Sequence, residues 1–556
     1  MLRFAPALAL ALFLAPIAAG LLGTLLPALG YLPAIGGARL SLQPWRDLVA
    51  YPGFAASLRL SLTIGLAATA LSLALAVSLC AALSGIRLPR LQRLLTPVLA
   101  APHAALAIGF AFLVAPSGWL ARLVSPWLTG WTLPPPITTV HDPWGIAAVL
   151  GLTLKEVPYL VLMIGAAMNQ LPVRPSLELA RSMGYGRIAA WLKAILPQVY
   201  PQIRLPVYAV LAFSLSSVEI GLVLAPGSPP PLAVLAARWF ADYDLQQYFP
   251  AAAAAILQLL LVVLAIALWH LAERVAACLG RVWIAHGRRR GGETPVLLAG
   301  LALAAVVVVL ALASLLVLGL WSFATDWRYP DTLPAGWTLA TWQRQATSLR
   351  PLASNTLLVG LVAACLAVAL ALACLENEQR RRHRPGAGAL WVIYVPLLVP
   401  QIAFLFGSQV ALVRGGLDGT LGAVIWAHLL FVFPYVFLSL ADPWRSFDPR
   451  YARTAAALGA GPLAIFWRVK LPMLLKPVLA ALAVGFGVSA GQYLPTLFAG
   501  AGRIATLTTE AVTLSSGGDR RVVGLYTLLA AFLPWLFYGA AITLPALLFR
   551  RRKGLQ

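Results

Sequence analysis

Two stretches decide how this chain reads: ELARSMGYGRIAAWLKAILP, residues 178–197, and RTAAALGAGPLAIFWRVKLP, residues 453–472. In each, a glycine (Gly184, Gly459) is followed twelve residues later by Leu-Pro, at Leu196-Pro197 and Leu471-Pro472. Each stretch follows an apolar run that carries a Pro-Tyr pair, Pro158-Tyr159 in one and Pro434-Tyr435 in the other. Farther upstream, PHAALAIG (residues 102–109) answers PQIAFLFG (residues 400–407), sharing Pro, Ala and Gly at the same spacing. Matched repeats in matched order read as one structural unit used twice.

The unit is a membrane one. The 556 residues are 61% hydrophobic and 11% charged, against roughly 25% charged residues in soluble domains. The apolar residues fall in runs of about 20, long enough to cross the hydrocarbon layer as helices, with charges gathered between them. Twelve spans are expected, centred near Leu14, Leu71, Ile108, Leu160, Leu211, Leu261, Val308, Ala367, Phe404, Leu430, Val484 and Leu536. The first run has Arg3 before it and the small residues Ala18-Ala19-Gly20 within it, but it continues almost to Leu32, too long for a cleaved leader. It is read as a span. The expected fold is all-α and polytopic, with about twelve transmembrane helices in two homologous six-helix halves: 1–280, a basic linker at 281–295 containing Gly291 and Gly292, and 296–556.

A net charge of +23 would point to nucleic acid in a soluble protein; here its distribution gives it another meaning. With the amino terminus in the cytoplasm, about 28 of the 41 Lys and Arg fall on the cytoplasmic side. They cluster at Arg87, Arg90 and Arg93, at Arg288 to Arg290, at Arg380 to Arg382 with Arg384, and at Arg550 to Lys553. The excess is a topology signal that puts both termini inside, with lipid and not nucleic acid as the partner. Cys80, Cys278, Cys365 and Cys374 lack metal-ligand spacing and are read as packing residues.

In the repeated loops, Leu179, Met183, Ile188 and Trp191 give a partly apolar face, Ala180 and Gly184 permit close approach, and Pro197 is expected to end the segment before the next span. A short helix of this kind lies across the membrane surface and offers a face to a soluble partner. Charged and polar residues inside spans are costly and need a reason. Lys155 and Glu156 are adjacent, about 100° apart on a helix, so they pair with other helices or lie on a translocation path. His103, aligned with Gln401, reads as a helix-packing or polar contact. Glu219 aligns with Gln492; these two, with Ser216 and Tyr493, either line a path or bond between helices. The outer loop from Trp119 to His141, with Trp127, Trp131 and Pro134 to Pro136, reads as a docking loop or an interfacial aromatic anchor. The chain has no Walker A sequence and no His, Cys or carboxylate cluster of catalytic or metal-binding spacing. Neither catalytic nor metal residues are assigned, and no cofactor is expected in this chain.

The repeated loops resemble the E-A-A-x-x-x-G-x(9)-I-x-L-P signature of ABC importer permeases. The first copy keeps Glu178, Ala180, Gly184, Leu196 and Pro197; the second keeps Ala455, Gly459, Leu471 and Pro472 but has Arg453 in place of Glu. The whole chain is similar to the fused two-half permeases of the iron(III) and thiamine branch, with LVSPWLTGW and GQYLPTLFAGAGRIATLTTEAVTL as the closer match. The resemblance implies a MetI-like permease fold and coupling helices seated on two separate ATPase subunits that bind ATP and Mg. It also implies a periplasmic solute-binding protein, and one copy of this fused pseudo-dimer per complex. It places Glu219 and Gln492 near the central path, where a carboxylate suits thiamine or another cation; iron(III), sulfate and polyamine follow as substrates. A twelve-span secondary transporter driven by an ion gradient would also show two six-span halves, though it would not need the Gly to Leu-Pro loops. A structural or assembly protein is the third class.

Overall fold

The computed structural model describes residues 4–83, 88–287, 293–381 and 386–548. Of the features read above, Arg87, Arg288 to Arg290, Gly291, Gly292, Arg382, Arg384 and Arg550 to Lys553 lie outside the described residues. Apolar runs become helices because hydrocarbon offers no partner to a backbone N–H or C=O, so each segment satisfies its own. Among the described residues nine helices are long and apolar enough to cross a bilayer, and three bent helix pairs bring the number of spans to as many as twelve. The principal helices begin with α1 (Ala5–Ala28), α2 (Phe54–Leu83), α3 (Leu88–Ala100), α4 (His103–Val114), α5 (Ile146–Asn169), α6 (Val173–Ser182), α7 (Leu196–Ser216), α8 (Val218–Leu224) and α9 (Tyr248–Ala285). They continue with α10 (Glu293–Phe323), α11 (Ala340–Arg381), α12 (Ala387–Leu398), α13 (Gln401–Arg414), α14 (Leu421–Arg445), α15 (Pro449–Ala457), α16 (Leu475–Ala490), α17 (Leu494–Gly500) and α18 (Arg520–Leu548). One two-residue strand pair, Tyr31–Leu32 with Gly37–Ala38, is the described sheet. The all-α polytopic expectation holds.

The bends have local causes. The span expected near Phe404 is two helices, α12 and α13, meeting at 96°. Val399 stands before Pro400 with φ −81° and ψ 123°, because a residue preceding proline is pushed out of the helical region. Pro102 begins α4 in the same way, with ψ 149°. The fifth expected span breaks by 50° at Ser217, and the eleventh by 77° at Leu474.

Helices α2, α5 and α7 pack together, and α11, α14 and α16 form the matching group. The first helix of each sequence block, however, lies with the other group: α1 runs along α13, and α10 runs along α4. Both crossings are made at glycine. A Cβ on Gly23 would lie 2.8 Å from the Cα of Gly407, and one on Gly407 would overlap the carbonyl of Gly20. Thr24 sits in this contact, its Oγ1 donating to Gly20 O at 3.0 Å and accepting from Gly407 N at 3.1 Å. At the other crossing a Cβ on Gly109 would overlap the carbonyl of Ser314. Gly109 and Gly407 are the glycines that close the repeated PHAALAIG and PQIAFLFG motifs.

One sequence expectation is corrected here. Cys80 and Cys374 are buried, but Cys278 and Cys365 are exposed on the helix surface and pack no core. The outer loop is also partly engaged within the molecule. Arg122, only 3% exposed, donates to the carbonyls of Trp327, Arg328 and Asp331, and the Trp119 indole donates to Thr332 O at 3.0 Å. Trp127 is 73% exposed, its indole N–H donating to Leu123 O at 2.8 Å.

Replacing Gly407 by Ala is expected to destabilise the protein by about 1–3 kcal/mol, the cost of overpacking a close contact. Gly319→Ala, at a helical site with open space around it, should be neutral or stabilising. Thermal melts of both variants in detergent check this; equal melting temperatures would show that the crossing tolerates a methyl group.

Candidate functional site

The two repeated loops adopt one geometry twice. In the first, α6 ends at Ser182 and Gly184 follows at φ +85°; in the second, α15 ends at Ala457 and Gly459 follows, also at φ +85°. Tyr185 N donates to Ala180 O at 3.1 Å and Ala460 N to Ala455 O at 3.0 Å, the six-to-one bond of a left-handed helix stop. This is why both copies need glycine: a side chain in that conformation clashes with its own carbonyl. Ala180 and Ala455 are half-buried and supply the accepting carbonyls.

After the glycine each loop turns back into the membrane through a π-helical turn, Trp191–Ile195 and Phe466–Lys470, directly before Leu196-Pro197 and Leu471-Pro472. Proline lacks an N–H and crowds the carbonyl four residues back, and the wider π turn relieves both problems. The expectation that Pro197 ends the segment is corrected: it stands in the first turn of α7, and Pro472 likewise opens the helix Leu471–Met473. The apolar face divides as well. Leu179 and Met183 are exposed, as are Leu458, Leu463 and Trp467 in the second copy, whereas Trp191 is fully buried against the bundle. Glu178 is exposed and bonds Arg174 Nε at 3.2 Å; its counterpart Arg453 is also exposed.

Inside the bundle, Lys155 and Glu156 on α5 are both buried and point to different neighbours. Lys155 Nζ donates to the carbonyls of Val98, Leu99 and Ala101 at 3.1, 2.6 and 2.6 Å. These carbonyls are left open where Pro102 separates α3 from α4, and in lipid such groups need a donor. Glu156 Oε1 lies 3.5 Å from His103 Nε2, and the His103 ring rests 4.5 Å from that of Phe213. Gln401 holds the matching place at the start of α13 and is half-buried.

Glu219 is buried in the first turn of α8, just past the break at Ser217, where a helix N-terminus favours a negative charge. Its electrostatic partners are His103 and Tyr493. Gln492 and Tyr493 stand at the matching gap between α16 and α17, Gln492 buried and Tyr493 half-buried. The structure therefore draws His103, Glu156, Glu219 and Tyr493 into one polar region. Ser216 is less available, because its hydroxyl donates to Ala212 O within its own helix at 2.7 Å.

Sequence reasoning missed three polar residues of the bundle. Tyr159 and Tyr435, the tyrosines of the repeated Pro-Tyr pairs, both feel the charge of Glu156; their recurrence was the available signal. His428 is buried on α14, with Nδ1 2.7 Å from Ser489 Oγ and Nε2 2.8 Å from Thr496 Oγ1. Thr496 in turn donates to Gln492 O at 3.0 Å. Among the described residues no group of three His, Cys, Asp or Glu is arranged to hold a metal ion.

The chain has relatives among known proteins. Residues 363–553 match the family described as binding-protein-dependent transport system inner membrane component. The chain is 33% identical over 522 residues to the inner membrane ABC transporter permease protein YnjC of Escherichia coli, covering 93% of both chains. It is 31% identical over 192 residues to the molybdenum transport system permease protein ModB of Mycobacterium tuberculosis, 32% of this chain and 70% of that one. It is 27% identical over 170 residues to the putrescine transport system permease protein PotI of Escherichia coli, 28% of this chain and 59% of that one. These relatives are named as transport permeases and not as enzymes. With a likeness to YnjC that runs the length of both chains, this multi-pass protein belongs to the inner-membrane permeases of binding-protein-dependent ABC transport systems.

Proposed function

We propose that this chain is the whole transmembrane pathway of an importer, two permease halves (1–280 and 296–556, joined at 281–295) fused in one copy per complex. Both termini lie in the cytoplasm of a bacterial cell. Two ATPase subunits sit beneath α6 and α15, and a periplasmic binding protein delivers solute to the outer mouth. ATP binding draws the ATPases together, the docking helices move with them, and the bundle alternates between outward and inward access, a population shift driven by differential contacts in two states. The observation that carries this reading is the pair of loops with a common backbone, each presenting exposed apolar side chains next to a left-handed glycine. An ion-driven transporter has no use for such a pair, and family membership favours the ATP-driven class.

For the solute, the names of the relatives point both ways, since molybdenum and putrescine differ in chemistry. The polar region is more informative: Glu156 and Glu219 bring carboxylates and tyrosine rings together, and carboxylates with aromatic faces suit a cation. This supports thiamine or another small organic cation, ahead of iron(III), sulfate and polyamine. Lys155 donates to backbone carbonyls rather than to either carboxylate.

Gly184→Arg and Gly459→Arg should each reduce the amount of ATPase that co-purifies while leaving membrane insertion intact. The backbone strain alone costs roughly 1–2 kcal/mol for a side chain in the left-handed region. Undiminished co-purification and uptake in both variants would remove the loops from the docking role. Glu219→Gln should lower thiamine uptake into proteoliposomes at least about tenfold, the equivalent of 1.4 kcal/mol, with thiamine binding by the periplasmic protein unchanged. Equal uptake would take Glu219 off the path.

A further inference from the structure

The second docking loop is tied at both of its ends to one transmembrane helix. Lys470, the last residue of its π turn, has Nζ 2.7 Å from Glu376 Oε2 and 2.7 Å from Gln379 Oε1. The side chains of Lys470 and Glu376 are only 7% and 5% exposed. Arg380 Nε completes the carboxylate at 2.8 Å. At the other end of the loop Arg445, which closes α14, donates Nε and Nη2 to Glu378 at 2.8 and 3.0 Å in a two-pronged fork. Glu376, Glu378 and Gln379 all lie in the last turns of α11, so residues 446–469 form a loop closed on the cytoplasmic end of a helix that runs the full depth of the bundle.

In the first docking loop the position matching Lys470 is Ile195, buried in the apolar core, and two residues before it Lys193 Nζ donates to Trp283 O on α9 at 3.3 Å and lies 4.4 Å from the Trp283 ring. A buried ion pair is a costly way to hold a loop in place, since desolvating two charges offsets most of their attraction. What the pair adds is direction. A charge fork fixes a particular atom of the loop against a particular atom of the helix, whereas apolar surfaces slide and rotate past one another at little cost.

We propose, building on the docking role of the loops, that Glu376–Lys470 and Glu378–Arg445 form a rigid strut that carries movement of the second docking helix into α11. Lys470, Arg445 and their partners are positioning residues.

Hydrogen exchange read by mass spectrometry, on the permease purified with its ATPase subunits in lipid nanodiscs, tests this with ATP and vanadate as the probe. In the wild type, nucleotide should alter exchange both in residues 449–473 and in residues 370–381. In the quadruple variant Lys470→Met, Glu376→Met, Arg445→Gln, Glu378→Gln, the response at 449–473 should stay and the response at 370–381 should be lost; Lys470→Arg should keep both. If the quadruple variant does not assemble, Arg445→Gln alone should shrink the response at 370–381. A response there that survives undiminished in either variant overturns the strut. A wild type that shows no response at 449–473 overturns the docking role, and the strut with it.

Discussion

The architecture rests on two backbone crossings, α1 over α13 at Gly20, Gly23 and Gly407, and α10 over α4 at Gly109 and Ser314. In lipid no hydrophobic force pulls one apolar helix onto another, because acyl chains solvate a leucine as well as a neighbouring helix does. Association has to come from close van der Waals contact and from polar groups that find partners across the interface. Glycine supplies the first and Thr24, bonded to both helices, supplies the second. Because each first helix is lent to the other group, the two groups are held together within the bundle.

The helix breaks form a second layer of the design. Proline at 102 and 400 stands at a helix break, and the break at Pro102 leaves carbonyls at the end of α3 outside the helical ladder. Lys155 answers three of them, which accounts for a lysine in the middle of an apolar helix. The same breaks admit polar side chains to the interior: His103 begins α4, Glu219 follows Ser217, and Gln492 and Tyr493 fill the gap before α17. Irregular backbone and polar side chains thus occur together, the arrangement expected where a membrane protein handles a polar solute.

The halves are related without being equal. The acidic residues of the polar region, Glu156 and Glu219, come from the first group, and the corresponding Gln492 and Tyr493 of the second are uncharged at neutral pH. The repeated loops share a backbone but differ at Glu178 and Arg453, and at Ile195 and Lys470.

Much of this was legible in the amino acids because it depends on local chemistry. Apolar runs of bilayer length specify helices wherever they lie in space, and Gly184 and Gly459 marked the repeat, although the sequence suggests only room for close approach at Gly184 and the helix stop appears in the structure alone. The spacing of Pro, Ala and Gly in 102–109 and 400–407 marked a repeat, although its reason, the crossing of a helix from the other block, could not be read from the motif. Tertiary structure alone decided which partners meet: that Lys155 caps α3, that His103 serves Glu156, that Trp191 turns inward while Leu179 does not, and that Glu376 reaches Lys470. The polar contacts among them join residues more than 50 positions apart along the chain, and periodicity within one helix carries no information about the azimuth at which another helix will arrive.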